Sequence, residues 1–263
     1  MEGILIGADP EVFYREEGNL VSAYGMIEGD KLNPQPVKDG AVQVDGMALE
    51  FNIDPAESSA QWVANIQSVM AQLADMVPGT LDPSPVAEFG AEYIAEQPLE
   101  ATDLGCDPDF NAWTGEENEK PDVDLPFRTG AGHVHVGFTN GAGEGDPAHI
   151  EACRMITKQL DFRLGLVSLV LDTCTKRRQM YGQAGAFRPK PYGVEYRVLS
   201  NFWLQSEDYM VWVFDTVHSA LTSLKEHGPL EDRYGDIQEI INNSDEVAAR
   251  LIISTEGWEI PNV

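Results

Sequence analysis

Two histidines stand one residue apart in "AGHVHVGF" (131–138), in a chain that holds only 5 His among 263 residues. A strand alternates its faces, so His133 and His135 share one side while Val134 and Val136 share the other. Three further apolar stretches carry charge in the same way: "GADPEVF" with Asp9 and Glu11, "VQVDGMALEF" with Asp45 and Glu50, and "GVEYRVL" with Glu195 two residues before Arg197. A lone carboxylate in a sheet core costs several kcal/mol, so acids that converge there must be paired or metal-bound. Carboxylates with an imidazole, and no thiol near them, suit Mg²⁺ or Mn²⁺ better than a thiolate metal. Asp9 before Pro10 and Asp45 before Gly46 are also natural turn residues, and Asp45 is read as serving its turn.

The charge distribution adds a second kind of chemistry. The net charge is −27, from 44 acidic and 17 basic residues. Such a surface repels phosphate backbones and anionic membranes, which argues against a nucleic-acid polymer or a membrane as partner. Residues 82–124 hold 13 Asp/Glu and one Lys, whereas residues 176–197 hold six Lys/Arg and one Glu. A chain this acidic that gathers Arg177, Arg178, Arg188, Lys190 and Arg197 into one stretch is expected to hold an anion there. Cys106, Cys153 and Cys174 are far apart and odd in number, which suits a reducing compartment. The sequence shows no leader-like start and no apolar run long enough to span a bilayer, so a cytoplasmic location is expected.

The elements that must position these residues follow from periodicity. Short strands are expected at 4–6 and 12–14, separated by a turn, with Gly18-Asn19 reversing the chain. Residues 41–53 read as a hairpin turning at Asp45-Gly46. A helix is predicted over 54–77, capped by Asp54 or Ser58. Residues 78–130 read as an irregular acidic insertion in which only "VAEFGAEYI" resembles a strand. The histidine strand follows, then a helix over about 147–172 and a strand over 193–203. Helices are expected over about 206–226, 233–243 and 244–253. No GxGxxG or GxxxxGK[ST] occurs, which argues against a dinucleotide fold or P-loop. Hairpin-linked strands without βαβ alternation predict an α+β fold, a mostly antiparallel sheet with helices on one face.

The ordered set "GADPEVF", "DGMALEFN", "GHVHVG" and "YGQAGAFRPKPYGVEYRVLSNFW" resembles the phage-type carboxylate–amine ligases (amidoligases) of the glutamine synthetase-like superfamily. The resemblance implies a single ligase domain over 1–263, with its sheet forming half a funnel and a helical segment at about 205–255. It implies ATP at one end, substrate at the other, and Mg²⁺ or Mn²⁺ between them. Carried over by motif, Asp9, Glu11, Glu50, His133 and Glu195 would bind metal, while His135, Arg188 and Lys190 would contact the nucleotide or substrate. Arg188, Arg197 and one of Arg177 and Arg178 would hold phosphate or the reacting carboxylate. The acid that such ligases carry a few residues before their Glu50 equivalent has no clear counterpart, since Asp45 stands closer and in a turn. The activity implied is ATP-dependent amide or isopeptide formation through an acyl phosphate. The partners implied are a small-molecule or peptide carboxylate and an amine, with a homo-oligomer left open and the host cytoplasm as location if the gene is phage-borne. A metal-dependent hydrolase on the same cluster, or an inactive binding module, are the alternatives.

Overall fold

The structure is a computed structural model that describes residues 3–102, 109–119, 125–139, 141–234 and 237–261. In chain order its strands are β1 (Leu5–Glu16), β2 (Asn19–Val21), β3 (Gln35–Val37), β4 (Gly40–Asp45), β5 (Ala48–Ile53), β6 (Thr80–Asp82) and β7 (Val86–Ala87). They continue with β8 (Phe110–Asn111), β9 (Arg128–Thr129), β10 (Gly132–Gly137), β11 (Ala186–Lys190) and β12 (Gly193–Tyr196). A main sheet runs β3-β4-β5-β1-β10-β12-β11-β8, with β2 and β6 also on β1, and every pairing is antiparallel. The strands β7 and β9 form a separate pair. An antiparallel sheet with helices is thus the observed α+β layout.

Helix α1 (Ser59–Met76) begins where Ser58 accepts from the Gln61 amide, and its stripe Trp62, Ile66, Val69 and Leu73 is buried. The short helices α2 (Ala91–Ala95) and α3 (Leu99–Thr102) follow. Then α4 (Pro147–Leu160) continues through a π turn at Asp161–Gly165 into α5 (Leu166–Leu171). Further on lie α6 (Glu207–His227), α7 (Glu231–Tyr234), α8 (Gln238–Asn242) and α9 (Glu246–Glu256). One apolar core joins Ile6, Val12, Phe51, Val134 and Val194 of the sheet to Trp62, Cys153, Leu160 and Val213 of the helices. Alternation leaves the opposite sheet face to the polar residues.

Several expectations need correction. Residues 5–16 form one strand, not two around a turn, because the residue before a proline favours extended backbone and Asp9-Pro10 can continue the pleat. At Pro10 the strand changes neighbours: Leu5–Pro10 pair with β10, Glu11 and Val12 with β5, and Phe13–Glu16 with β2 and β6. The 40–53 hairpin turns at Gly46-Met47, one residue later than expected, and Gly46 takes φ +58°. Residues 78–130 are not wholly irregular: they contribute β6, β7, α2, α3, β8 and β9, and "VAEFGAEYI" is a short strand followed by a helix. The strand at 193 ends at Tyr196, and Asn201–Gln205 form a 3₁₀ helix capped by Ser200. The basic stretch contains a strand, β11, that alternation did not reveal. Cys153 and Cys174 are free, and Cys106 lies outside the described residues.

Candidate active site

The polar face of the sheet carries the chemistry. In β1 the residues Ile6, Ala8 and Val12 are core, so Asp9 and Glu11 project the other way. Register then assembles a row: Glu11 lies opposite Glu50, Asp9 opposite His133, His135 opposite Glu195, and Glu195 opposite Arg188. Residues from five strands thereby become cross-strand neighbours.

Within the row two sets of ligand-type atoms draw together, Asp9 with His133 and Glu195, and Glu11 with Asp45 and Glu50, each set within 4.8 Å. In the first, His133 Nδ1 is 3.3 Å from Asp9 Oδ1 and 3.5 Å from Glu195 Oε1. His135 Nε2 lies 2.9 Å from the same Asp9 oxygen, yet neither atom makes a well-directed hydrogen bond. On its other side His135 Nδ1 meets the Tyr192 hydroxyl at 2.5 Å. In the second set Glu11 accepts from the Ala131 amide at 2.8 Å, and Lys31 Nζ stands 2.7 Å from Asp45 Oδ1. Asp45 joins Glu11 and Glu50 in this set. It ends β4 rather than occupying the turn, and the hairpin register sets it on the face that carries Glu50. A two-residue turn counted one position later would have revealed it.

The basic residues divide. Glu195 is buried beneath Arg197 Nη1, Arg188 Nη1 at 3.3 Å and Lys190 Nζ at 3.1 Å. Arg197 also donates from Nε to Asp109 at 2.9 Å, an acid of the insertion that sequence reasoning did not single out. Arg177 reaches the row, with Nη2 at 3.3 Å from His133 Nε2 and donating to the Arg197 carbonyl at 2.8 Å. Arg178 does not. Its guanidinium is spent on the Cys174, Ser168 and Asp172 carbonyls at the end of α5.

These contacts shift protonation in opposite directions. Burial and the neighbouring Asp45 push Glu11 up to about 7, and burial with Asp9, Asp45 and Glu11 around it raises Glu50 well above the carboxylate range. Burial would raise Asp9 too, but His135 and His133 outweigh it and hold Asp9 low. Burial is likewise overcome at Glu195 by Arg197, which takes it to about 2. Burial and Arg197 bring His133 down to about 4, whereas Asp9 and Glu195 overcome burial to raise His135. One set is therefore balanced by its own cations and the other is an acid cluster short of positive charge.

The row separates two open spaces. One is lined by Glu11, Asp45, His133, Arg177 and Arg197 together with the apolar Phe13, Met47 and Phe127. The other is lined by Asp9, Glu50 and His135 with Asn52, Pro55 and Tyr192. Residues 119–234 match the family model for phage phiEco32-like COOH.NH2 ligase-type 2. The motif resemblance and this match agree. The matched stretch contains His133, His135, Arg177, Arg188, Lys190, Glu195 and Arg197, while Asp9, Glu11, Asp45 and Glu50 lie outside it and are brought to it by the sheet. A comparison with curated proteins finds no match. Among the described residues no helix is long and apolar enough to cross a membrane.

Proposed function

We propose that the protein is an ATP-dependent carboxylate–amine ligase, acting in the cytoplasm as one glutamine synthetase-like domain whose sheet is half of a funnel. The observation that carries this reading is the double acid–histidine row between two cavities, flanked by three cations on Glu195. The donor set fits divalent metal. Two groups of carboxylate and imidazole atoms converge, Asp9 Oδ1 and His135 Nε2 are buried without a directed hydrogen bond, and burial with neighbouring acids, Asp45 for both, raises Glu11 and Glu50. Asp9, His133 and Glu195 would hold one Mg²⁺ or Mn²⁺, and Glu11, Asp45 and Glu50 another. Bound there, the ions would supply charge neutralisation for phosphate oxygens.

In this reading the nucleotide enters on the His135–Tyr192 side, where Arg188 and Lys190 release Glu195 to grip its phosphates. The carboxylate substrate enters on the Arg177 side. Its oxygen attacks the γ-phosphorus, the bond to the bridging oxygen breaks, and ADP leaves with that electron pair. Arg188 and Arg197 stabilise the charge on the phosphoryl group in flight. The amine nitrogen then attacks the acyl carbon, phosphate departs, and an acid of the chain takes the amine proton.

Incubation with ATP, Mg²⁺ and a mixed pool of carboxylates and amines tests the reading. ADP and phosphate in equal amounts with a new amide are expected. AMP and pyrophosphate as stoichiometric products would overturn it. Metal-dependent hydrolysis without ATP consumption would move the assignment to a hydrolase, and neither activity to a binding module.

A further inference from the structure

The cavity on the Arg177 side contains, besides Arg177 and Arg197, a third arginine that the row does not use. Arg128, on β9, is only 7% exposed and lines this cavity. Its Nη1 donates to the Leu125 and Phe127 carbonyls at 3.1 and 2.9 Å, which fixes the guanidinium plane. Its Nε is buried with no partner, and among the described residues no carboxylate pairs with it. Every other buried arginine near the site is spoken for: Arg177 by carbonyls and His133, Arg197 by Glu195 and Asp109. A buried cation left unpaired is costly, and the Nε–Nη2 edge of a fixed guanidinium matches the two oxygens of one carboxylate.

The surroundings say what that carboxylate belongs to. Phe13, Met47, Phe127, Met180 and Tyr181 share the cavity with it, so the walls beside Arg128 are apolar and aromatic. Among the described residues no hydrogen bond or ion pair joins Arg128 to the row, whose Glu11 is held by the Ala131 amide. Three residues of extended chain, roughly 10 Å, separate the two backbone positions. We infer that Arg128 anchors a non-reacting carboxylate of the substrate, and that the substrate carries an apolar or aromatic body against these walls. This rests on the ligase reading for which end reacts: one acid group lies at the row and a second at Arg128.

Titration calorimetry of the full chain with N-acetylphenylalanine and with its neutral amide tests the inference without ATP or turnover. The acid is expected to bind roughly tenfold or more tightly than the amide, the difference expected of a charged hydrogen-bonded pair. Arg128→Gln is expected to bring the acid down to the affinity of the amide while leaving Mn²⁺ binding unchanged. If that variant fails to fold, Met180→Asp puts a negative charge in the same cavity and should weaken the acid but not the amide. Equal binding of acid and amide, no binding of either, or unchanged acid binding in the variants would each overturn the inference. ADP release that occurs only with small polar acids would do the same while leaving the ligase reading intact. Selective acid binding without any ATP consumption would instead leave the Arg128 anchor standing and remove the ligase.

Discussion

Glu195 shows how far one residue's surroundings decide its use. Three cations meet it, two from β11 and one from the residue after β12, and they differ in what else they hold. Arg188 keeps 18% of its side chain exposed. Arg188→Ala is therefore expected to stay folded, since Arg197 and Lys190 still cover Glu195, but to lower turnover by on the order of a hundredfold. Arg197 is different, because it is buried and also pairs with Asp109. Arg197→Ala breaks a buried network and is expected to cost roughly 3–5 kcal/mol, read as a lower denaturation midpoint. An Arg197→Ala protein as stable and active as wild type would discredit both roles. Glu11 gives a pH prediction. Its folded pKa of about 7 lies above the ordinary 4.5, so between these values the folded state binds the extra proton. Stability from this group is full below about 4.5 and is lost as pH rises through 7. In metal-free protein, Glu11→Gln should remove a decline in melting temperature across that window, and saturating Mn²⁺ should remove it in wild type. A variant with the same pH slope as wild type would show that Glu11 ionises normally.

At the scale of elements, β1 and β10 are the hinge of the arrangement. Strand β1 exchanges one neighbour for another at Pro10, which lets Asp9 face β10 and Glu11 face β5, one acid to each metal-type group. Strand β10 must run close beneath the segment that follows β12. A Cβ on Gly132 would stand 2.2 Å from the Ser200 carbonyl oxygen and 2.5 Å from Trp203 Nε1, and that indole nitrogen donates to the Gly132 carbonyl. Gly132→Ala thus forces backbone apart where no flexible side chain can yield. It is expected to destabilise by about 1–3 kcal/mol and to weaken Mn²⁺ binding at His133. At the other end of the same strand a Cβ on Gly137 would meet nothing nearer than the Leu5 carbonyl oxygen at 3.4 Å, an ordinary van der Waals distance. Gly137→Ala should cost clearly less in a matched thermal melt, and equal losses would refute the close-approach argument.

For the whole molecule the dominant quantity is charge. At −27 the folded chain repels itself, and the 13 acids of residues 82–124 concentrate that repulsion. Raising the salt from about 20 mM to about 500 mM shortens the screening length to a few ångströms, so the melting temperature should rise. A flat or falling response would mean that ion pairs such as Arg15–Asp82 and Lys158–Glu231 outweigh the net repulsion.

The sequence by itself determined what depends on neighbours along the chain. Period-two alternation put His133 with His135 and Asp9 with Glu11, and the 3.6-residue period predicted the helix α1, while the structure chose Ser58 over Asp54 as its cap. The need for charge partners was also local, because acids and imidazoles in apolar strands must be paired wherever the strands end up. Tertiary structure alone decided which acids share a group. Asp9 joins His133 and Glu195 while Glu11 joins Asp45 and Glu50, although Asp9 and Glu11 are two residues apart. That choice belongs to cross-strand register and to the change of partner at Pro10, neither of which leaves a mark on residue spacing. The same holds for Arg177 and Arg178, adjacent in sequence and turned to opposite tasks, and for Arg128, an ordinary arginine in the sequence until burial without a partner sets it apart. Burial and pairing are properties of the packed chain, and they appear only when distant segments meet.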